Sequence, residues 1–224
     1  MATSVTSAGR PAAATDANVL TWLVQWIKGH KQRAAYLGAA LAIVAILFVW
    51  NLLSTRTAER SAGRRLEQGR LALASKNYQL AASVLSQVVE NYSGTRAAQE
   101  GNILLAQVRL AQGQSQQAID LLKEFAPNAG RDYRAQAYGL LGAAYENASH
   151  PRDAADAYQR AADAAQYPFL RAQFLSDAGR AWLAAGDTAQ AVTAYKTIAQ
   201  QLDSTSAATE AKVRLGELTK GAGR

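Results

Sequence analysis

The chain has 224 residues, of which 49% are hydrophobic and 8% aromatic, with a formal net charge of +7 and no cysteine. This length accommodates one folded domain and a membrane segment, and the prevalence of alanine over aromatic and β-branched residues favours an all-α fold. The lack of cysteine excludes disulfides, thiolate metal sites and cysteine nucleophiles.

The positive charge is concentrated on either side of one apolar segment. Residues 1–33 hold four basic residues against one acidic residue, and residues 54–70 hold five against two. Of the 24 basic and 17 acidic residues in all, residues 71–224 therefore hold 15 and 14. Because residues 71–224 lack a basic stripe that could follow phosphates along the repeats, nucleic-acid binding is disfavoured. The charge beside the apolar segment is typical of contact with anionic lipid headgroups.

Two segments precede the apolar stretch. Residues 1–17 are rich in Ala, Ser and Thr, which predicts a disordered tail. Residues 18–33 carry apolar side chains at helical spacing followed by basic ones, which predicts an amphipathic segment. It would lie against lipid headgroups or, equally well, dock on a partner. The side chains expected to anchor the chain at the membrane are Trp22, Trp26, Lys28, Lys31, Arg33, Tyr36 and Trp50.

Residues 34–55 are predicted to form a single transmembrane helix. No charged residue lies between Arg33 and Arg56, and the most apolar part, 34–53, would extend about 30 Å as a helix. A buried helix of a soluble domain seldom runs this far without a charge. No small-residue cleavage site follows Leu53, so we expect the segment to be retained.

Charge counting leaves the orientation of this helix open. Lys28, Lys31 and Arg33 precede the span, and five arginines follow it, which slightly favours a cytoplasmic C-terminus. The later arginines, however, alternate with Glu59 and Glu67 in what is predicted to be the first helix of a folded domain, which weakens that argument.

Residues 56–224 repeat at intervals of 36 or 37 residues, which predicts stacked helical hairpins. We expect a small residue in each helix to let the paired helices approach closely, and a larger residue one turn later to fill the space between successive hairpins. The small residues of the second helices are Ala81, Ala118, Ala154 and Ala191. Those of the first helices are Gly69, Ala106, Gly142 and Gly179. The larger residues are Leu85, Leu122, Tyr158 and Tyr195. Residues 207–218 repeat the first-helix half alone, which predicts a capping helix.

The third unit resembles a tetratricopeptide repeat at its signature positions Gly142, Tyr145, Ala154 and Tyr158, and the fourth matches about as well. This resemblance implies an α-solenoid of about four tetratricopeptide-like hairpins and a C-terminal cap. The whole layout, with phrases such as residues 85–95, is similar to the bacterial inner-membrane family typified by YfgM, an ancillary subunit of the SecYEG translocon. That similarity implies a cytoplasmic N-terminus, periplasmic repeats, and contact with a translocon or with periplasmic chaperones and their clients.

No constellation of residues points to catalysis, a cofactor, a metal or a small-molecule substrate. The two histidines, His30 and His150, are far apart in sequence and have no cysteine to accompany them. The glycines fall at helix-packing and turn positions, without the pattern of a phosphate-binding loop. We therefore do not expect an enzyme.

Partner binding is expected on the face formed by the first helices of the hairpins. We expect Arg70 and Arg180 to meet acidic residues of a partner, with Gly139 and Ala143 leaving room midway. Some of the apolar residues could equally be inter-repeat core. The family's groove positions, carried over, are Leu66, Arg70, Leu73, Ile103, Gln107, Leu110, Gly139, Ala143, Glu146, Ser176, Arg180 and Leu183.

The leading functional hypothesis is a membrane-tethered protein-protein interaction scaffold, a periplasmic adaptor or chaperone-like subunit at a translocon. The alternatives are an accessory subunit of a large inner-membrane complex (respiratory, photosynthetic or secretory) and, if the topology is inverted, a regulator that faces the cytosol. The small residues Gly38, Ala39, Ala42 and Ala45 of the span would suit packing in such a complex.

Overall fold

The computed structural model of the chain describes residues 31–219, and their regular secondary structure is entirely α-helical. The predicted tail 1–17 and most of the amphipathic segment, 18–30, lie outside the described residues, as do Trp22, Trp26 and Lys28. Chain contacts divide the protein into two units, Met1–Ser54 and Thr55–Arg224. The helices are α1 Lys31–Ala74, α2 Tyr78–Asn91, α3 Arg96–Ala111, α4 Ser115–Asn128, α5 Arg131–Asn147, α6 Pro151–Ala164, α7 Pro168–Ala184, α8 Thr188–Gln201 and α9 Ala207–Thr219.

The part of α1 that belongs to the first unit carries the apolar stretch. Its large side chains are exposed, including Tyr36 at 77%, Phe48 at 62% and Trp50 at 74%. Within the described residues, one helical stretch, Ala42–Ala74, is long and apolar enough to cross a membrane by length and composition.

The second unit is a stack of four helical hairpins closed by α9, as the repeat spacing predicts. The hairpins pair the end of α1 with α2, α3 with α4, α5 with α6, and α7 with α8. The small residue near the start of each second helix is fully buried, which confirms its role at the helix–helix contact: Ala81, Ala118, Ala154 and Ala191. The capping helix buries Ala208 and Ala211 against the last hairpin.

The larger residue of each second helix packs towards the next hairpin or the cap, as expected, and also fills space within its own hairpin. A Cβ built on Gly69 would lie 2.6 Å from the Leu85 side chain, and one on Gly142 would lie 2.7 Å from the Tyr158 ring. The glycine and the large side chain therefore belong to the same hairpin. Each glycine leaves a hole that the large residue fills. The same large residue also belongs to a buried cluster with the next first helix, since Leu85 clusters with Leu105 and Tyr158 with Leu175.

The four turns within the hairpins share one geometry. The residue five positions before each buried alanine has a positive φ: Lys76 at 58°, Gly113 at 72°, Ser149 at 60° and Gly186 at 79°. In the third turn the N–H of Ser149 donates to the carbonyl of Glu146 and that of His150 to the carbonyl of Tyr145, both at 2.9 Å. This pair of bonds ends the first helix as a Schellman motif, and the left-handed residue reverses the chain.

Candidate protein-binding groove

The structure divides the predicted groove residues into a buried and an accessible set. Leu66 and Ile103 are 5% and 2% exposed, and Gly139 is buried as well, so these three belong to the inter-repeat core. The remaining nine are partly or fully accessible on the first helices. We call them the first-helix groove: Arg70, Leu73, Gln107, Leu110, Ala143, Glu146, Ser176, Arg180 and Leu183.

The room expected over Gly139 is already filled. A Cβ built on Gly139 would lie 2.5 Å from the ring of Phe174, which comes from the first helix of the next hairpin. Gly139 therefore serves to seat Phe174 between hairpins, and the expectation of an open site there is wrong. Ala143, one turn further along α5, keeps partial exposure and remains the small residue of the groove.

At the C-terminal end of the groove, Glu146 accepts three hydrogen bonds from two residues, Arg180 and Tyr158. The guanidinium of Arg180 donates to both carboxylate oxygens, Nη1 to Oε1 at 2.5 Å and Nη2 to Oε2 at 3.3 Å. The buried Tyr158 hydroxyl donates to Oε2 at 2.8 Å, and Arg180 also donates to Asp177 at 3.1 Å. Such a two-pronged arginine–carboxylate pair fixes both side chains in direction, so it joins the third hairpin to the fourth.

An analogous pair lies at the N-terminal end. Arg70 binds Glu100 on the first helix of the second hairpin, with Nε at 3.1 Å from Oε1, and Glu67 one turn earlier at 3.2 Å. Arg70 and Arg180 were expected to meet acidic residues of a partner. Both guanidiniums instead bind carboxylates of their own domain, so an acidic partner would have to compete with those carboxylates.

The electrostatics of the groove follow from this pairing. Hydrogen bonding to Glu146 raises the pKa of Arg180, and hydrogen bonding to Glu100 raises the pKa of Arg70. Burial raises the pKa of the Tyr158 hydroxyl, with a further contribution from its bond to Glu146. Burial also raises the pKa of Asp177, against the opposing effect of Arg180. In the groove, the positive charges of Arg70 and Arg180 are thus balanced by carboxylates of the same domain, and partly exposed leucines lie near these pairs.

Sequence reasoning missed Glu100, Asp177 and Tyr158 as groove residues. A signal for two of the pairings was present in the repeat register. Arg70 and Arg180 each follow the small glycine of their helix by one position, and each has an acidic residue three positions earlier, Glu67 and Asp177. The contact of Glu100 with Arg70 depends on the stacking of two hairpins, which local spacing does not specify.

Within residues 31–219, no group of three or more His, Cys, Asp or Glu side chains is arranged to hold a metal ion. His150 lies in the exposed third turn, 3.7 Å from Asp153, with its ring stacked on Tyr145 at a centroid distance of 6.2 Å.

The sequence profile of the tetratricopeptide repeat-like domain family matches residues 52–174, more than half of the chain. The chain belongs to this family. The four hairpins and the first-helix groove are thus parts of a tetratricopeptide repeat-like domain. Such repeats act as protein–protein interaction scaffolds. No curated protein matches the chain in sequence at a significant level.

Solved structures agree with this family in fold. A crystal structure of nearly identical TPR-like repeats of kinesin light chain type, from Podosopora anserina, is 19% identical, with a TM-score of 0.56 over 74% of this chain and 88% of its own. A MamA crystal structure is 22% identical, with a TM-score of 0.53 over 71% of this chain and 87% of its own. MamA from Desulfovibrio magneticus RS-1 is 19% identical, with a TM-score of 0.50 over 73% of this chain and 78% of its own.

Proposed function

We propose that the protein is a membrane-tethered adaptor whose first-helix groove binds a segment of a partner protein. Residues 34–55 form the tether in a bacterial inner membrane, with the N-terminus in the cytoplasm and the repeats in the periplasm. The partner is a translocon subunit, a periplasmic chaperone or one of its clients. The similarity of the layout to the YfgM family supports the location, and the long apolar part of α1 supports the tether.

The groove itself carries the binding proposal. Leu73, Leu110 and Leu183 keep partial exposure at corresponding positions of three hairpins, although each also packs on the core. The arginines beside them are already paired with carboxylates of the domain. A segment that fits here therefore offers apolar side chains to the leucines and hydrogen bonds to Gln107 and Ser176. Its own charges contribute less.

Tethering makes weak groove contacts sufficient. A partner that lies in or on the same membrane meets the groove at an effective concentration on the order of millimolar, as for modules joined by short linkers. The groove then needs no deep pocket, and an apolar strip with satisfied charges can bind and release successive clients.

The test introduces bulk into the groove and leaves the residues of its ion pairs unsubstituted. The double variant Gln107→Arg/Ala143→Arg fills the middle of the groove, and Gln116→Arg/Ala189→Arg places the same changes on exposed positions of the second helices. A photo-crosslinking residue at Ser176 of each full chain is activated in cells. We expect adducts with one or a few proteins, lost in the groove variant and kept in the control. Equal adducts in both variants would refute binding in the groove.

The identity and location of the adducts decide the rest of the proposal. Adducts with translocon subunits or periplasmic chaperones agree with it, and adducts with cytosolic proteins contradict the orientation. A reporter fused after Arg224 that is active only in the periplasm checks the orientation independently. Stoichiometric co-purification that survives both high salt and the groove variant would instead favour a fixed subunit held by its span.

A further inference from the structure

Three arginines form a stripe along the first helix of the repeat unit. Arg56, Arg60 and Arg64 are exposed and follow one another at intervals of four residues in α1. Residues four apart are neighbours on one helix face, so the three arginine side chains project from the same side of α1. We call them the arginine stripe.

The acidic residues that alternate with the stripe in sequence do not neutralise it. The Glu59 carboxylate accepts from the backbone N–H groups of Arg96 and Ala97 at 3.0 and 3.2 Å, so it caps the N-terminus of α3. Glu67 is paired with Arg70. Among the residues that the structure describes, none forms an ion pair with Arg56, Arg60 or Arg64. Like charges four residues apart repel, which favours binding of an anion along the stripe.

Comparison with the later hairpins shows what this face does not bind. The positions equivalent to Arg64 in the second and third hairpins are Gly101 and Ala137, and both are buried in the stack. The position equivalent to Arg60 in the second hairpin is Ala97, which is 5% exposed. Another hairpin stacked on this edge would bury unpaired cations at a high cost, so a second copy that extends the solenoid does not fit.

We propose that the arginine stripe binds the phosphate headgroups of anionic phospholipids in the leaflet nearest the repeat unit. Arg56 comes three residues after Leu53, so chain connectivity alone keeps it within about 10 Å of the end of the apolar stretch. The headgroup layer begins there and is several ångströms thick. Guanidinium groups bind phosphate in a two-pronged geometry. This inference rests on the membrane tether of the proposed function.

Spin-labelled lipids test the contact on the full chain. The protein is reconstituted in phosphatidylcholine vesicles with a trace of either spin-labelled phosphatidylglycerol or spin-labelled phosphatidylcholine, and electron spin resonance gives the fraction of each lipid held at the protein. We expect a several-fold preference for phosphatidylglycerol, with up to about fivefold from each arginine near the surface. The variant Arg56→Gln/Arg60→Gln/Arg64→Gln loses most of it, and salt weakens it in the native chain.

Matched variants separate the stripe from net charge. Arg96→Gln/Arg131→Gln/Arg152→Gln removes the same charge from exposed positions elsewhere in the unit, and should keep the native preference. Lys28→Gln/Lys31→Gln/Arg33→Gln measures the part that comes from the cluster before the span. A stripe variant that keeps the native preference, or a control that loses as much, overturns the proposal.

The same experiment distinguishes failure of the stripe from failure of the tether. A chain that enters the vesicles without preferring the anionic lipid refutes the stripe alone. A chain that does not enter them at all refutes the tether, and the lipid contact with it. Circular dichroism of each variant in the vesicles confirms that the helical fold is retained.

Discussion

The first two hairpins and the last two have the same backbone plan but are closed by different side chains. In the first two, leucines lie over a glycine and an alanine; in the last two, tyrosines lie over glycines. The pairs are Gly69 with Leu85, Ala106 with Leu122, Gly142 with Tyr158, and Gly179 with Tyr195. The comparison teaches that the facing volumes are complementary, because the broader ring is found only where the opposing residue has no Cβ.

The choice of side chain also changes how the groove is held. A tyrosine ring over glycine carries its hydroxyl to the groove, where Tyr158 donates to Glu146. Leu85 has no such group, and at that end of the domain Arg70 and Glu100 join the hairpins without help from a second helix. The C-terminal half therefore couples its core to its groove through one hydrogen bond, and the N-terminal half does not.

The largest expected effect on stability comes from replacing the glycine that faces a tyrosine by the alanine that faces a leucine in the second hairpin. In Gly142→Ala the new Cβ lies 2.7 to 2.8 Å from three atoms of the Tyr158 ring, so the ring or the helix that carries it must shift. We expect a net loss of up to about 2 kcal/mol in the free energy of unfolding. The overlap costs about 1–3 kcal/mol, and the better helix propensity of alanine offsets about 1. Urea unfolding of the full chain in mild detergent, followed by circular dichroism, measures this loss.

A double variant gives the control for that exchange. Gly142→Ala/Tyr158→Leu recreates the alanine–leucine pair of the second hairpin, and we expect it to be more stable than the sum of the two single changes predicts. Strict additivity of the two losses would show that the volumes of the facing residues do not determine the closure.

A smaller effect is expected from Tyr158→Phe, which removes the link between core and groove. Loss of its hydrogen bond to Glu146 should lower the free energy of unfolding by about 1 kcal/mol. Tyr195→Phe is the control, because no hydrogen bond of the Tyr195 hydroxyl is found among the described residues, and it should change little. The same urea assay applies, and equal losses in the two variants would contradict the special role of Tyr158.

The pH dependence sharpens this prediction. The pKa of Tyr158 is raised in the folded chain, mainly by burial, so the folded state keeps its proton while the unfolded tyrosine ionises near pH 10. The hydroxyl's contribution is therefore complete below about pH 10 and declines as the pH rises above that value. The stability difference between the native chain and Tyr158→Phe should shrink between pH 9 and pH 11.

The smallest effect concerns the turns, which differ between hairpins although their geometry does not. Lys76 and Ser149 have positive φ angles where the second and fourth hairpins have glycine. Lys76→Gly and Ser149→Gly should each stabilise the chain by about 0.5 kcal/mol, because they relieve a left-handed conformation that costs about 1–2 kcal/mol. Gly113→Ala and Gly186→Ala should destabilise it. Shifts of the thermal midpoint in those opposite directions are the measurement.

The repeat register in sequence was sufficient to predict the four hairpins, their buried alanines and the cap. It placed Leu85, Tyr158 and Tyr195 towards the next hairpin or the cap, but it did not predict that they also fill the space over the glycine of their own hairpin. Periodicity specifies the face of a helix on which a side chain lies, but not which of two neighbouring helices it meets first. The same limit explains why Phe174 over Gly139 was not foreseen.

The candidate groove was predicted less completely. Nine of its residues came from family positions and keep some exposure, whereas Leu66, Ile103 and Gly139 are buried. The partners of Arg70 and Arg180 could be suggested within one helix, as Glu67 and Asp177, but not across hairpins. Glu100 and Glu146 are 30 and 34 residues from those arginines in sequence, and their distance is set by how the units stack.

By itself, the sequence determined the all-helical repeat architecture, because small and large residues recurring every 36 or 37 positions can bury their apolar faces only in stacked hairpins. Only the tertiary structure decided which charges remain available. It assigns Glu59 to the N-terminus of α3 and Glu67 to Arg70, and it leaves Arg56, Arg60 and Arg64 without an acidic partner among the described residues. A carboxylate neutralises a positive charge that lies close to it in space, because the interaction depends on distance. The order of residues in the sequence does not determine that distance.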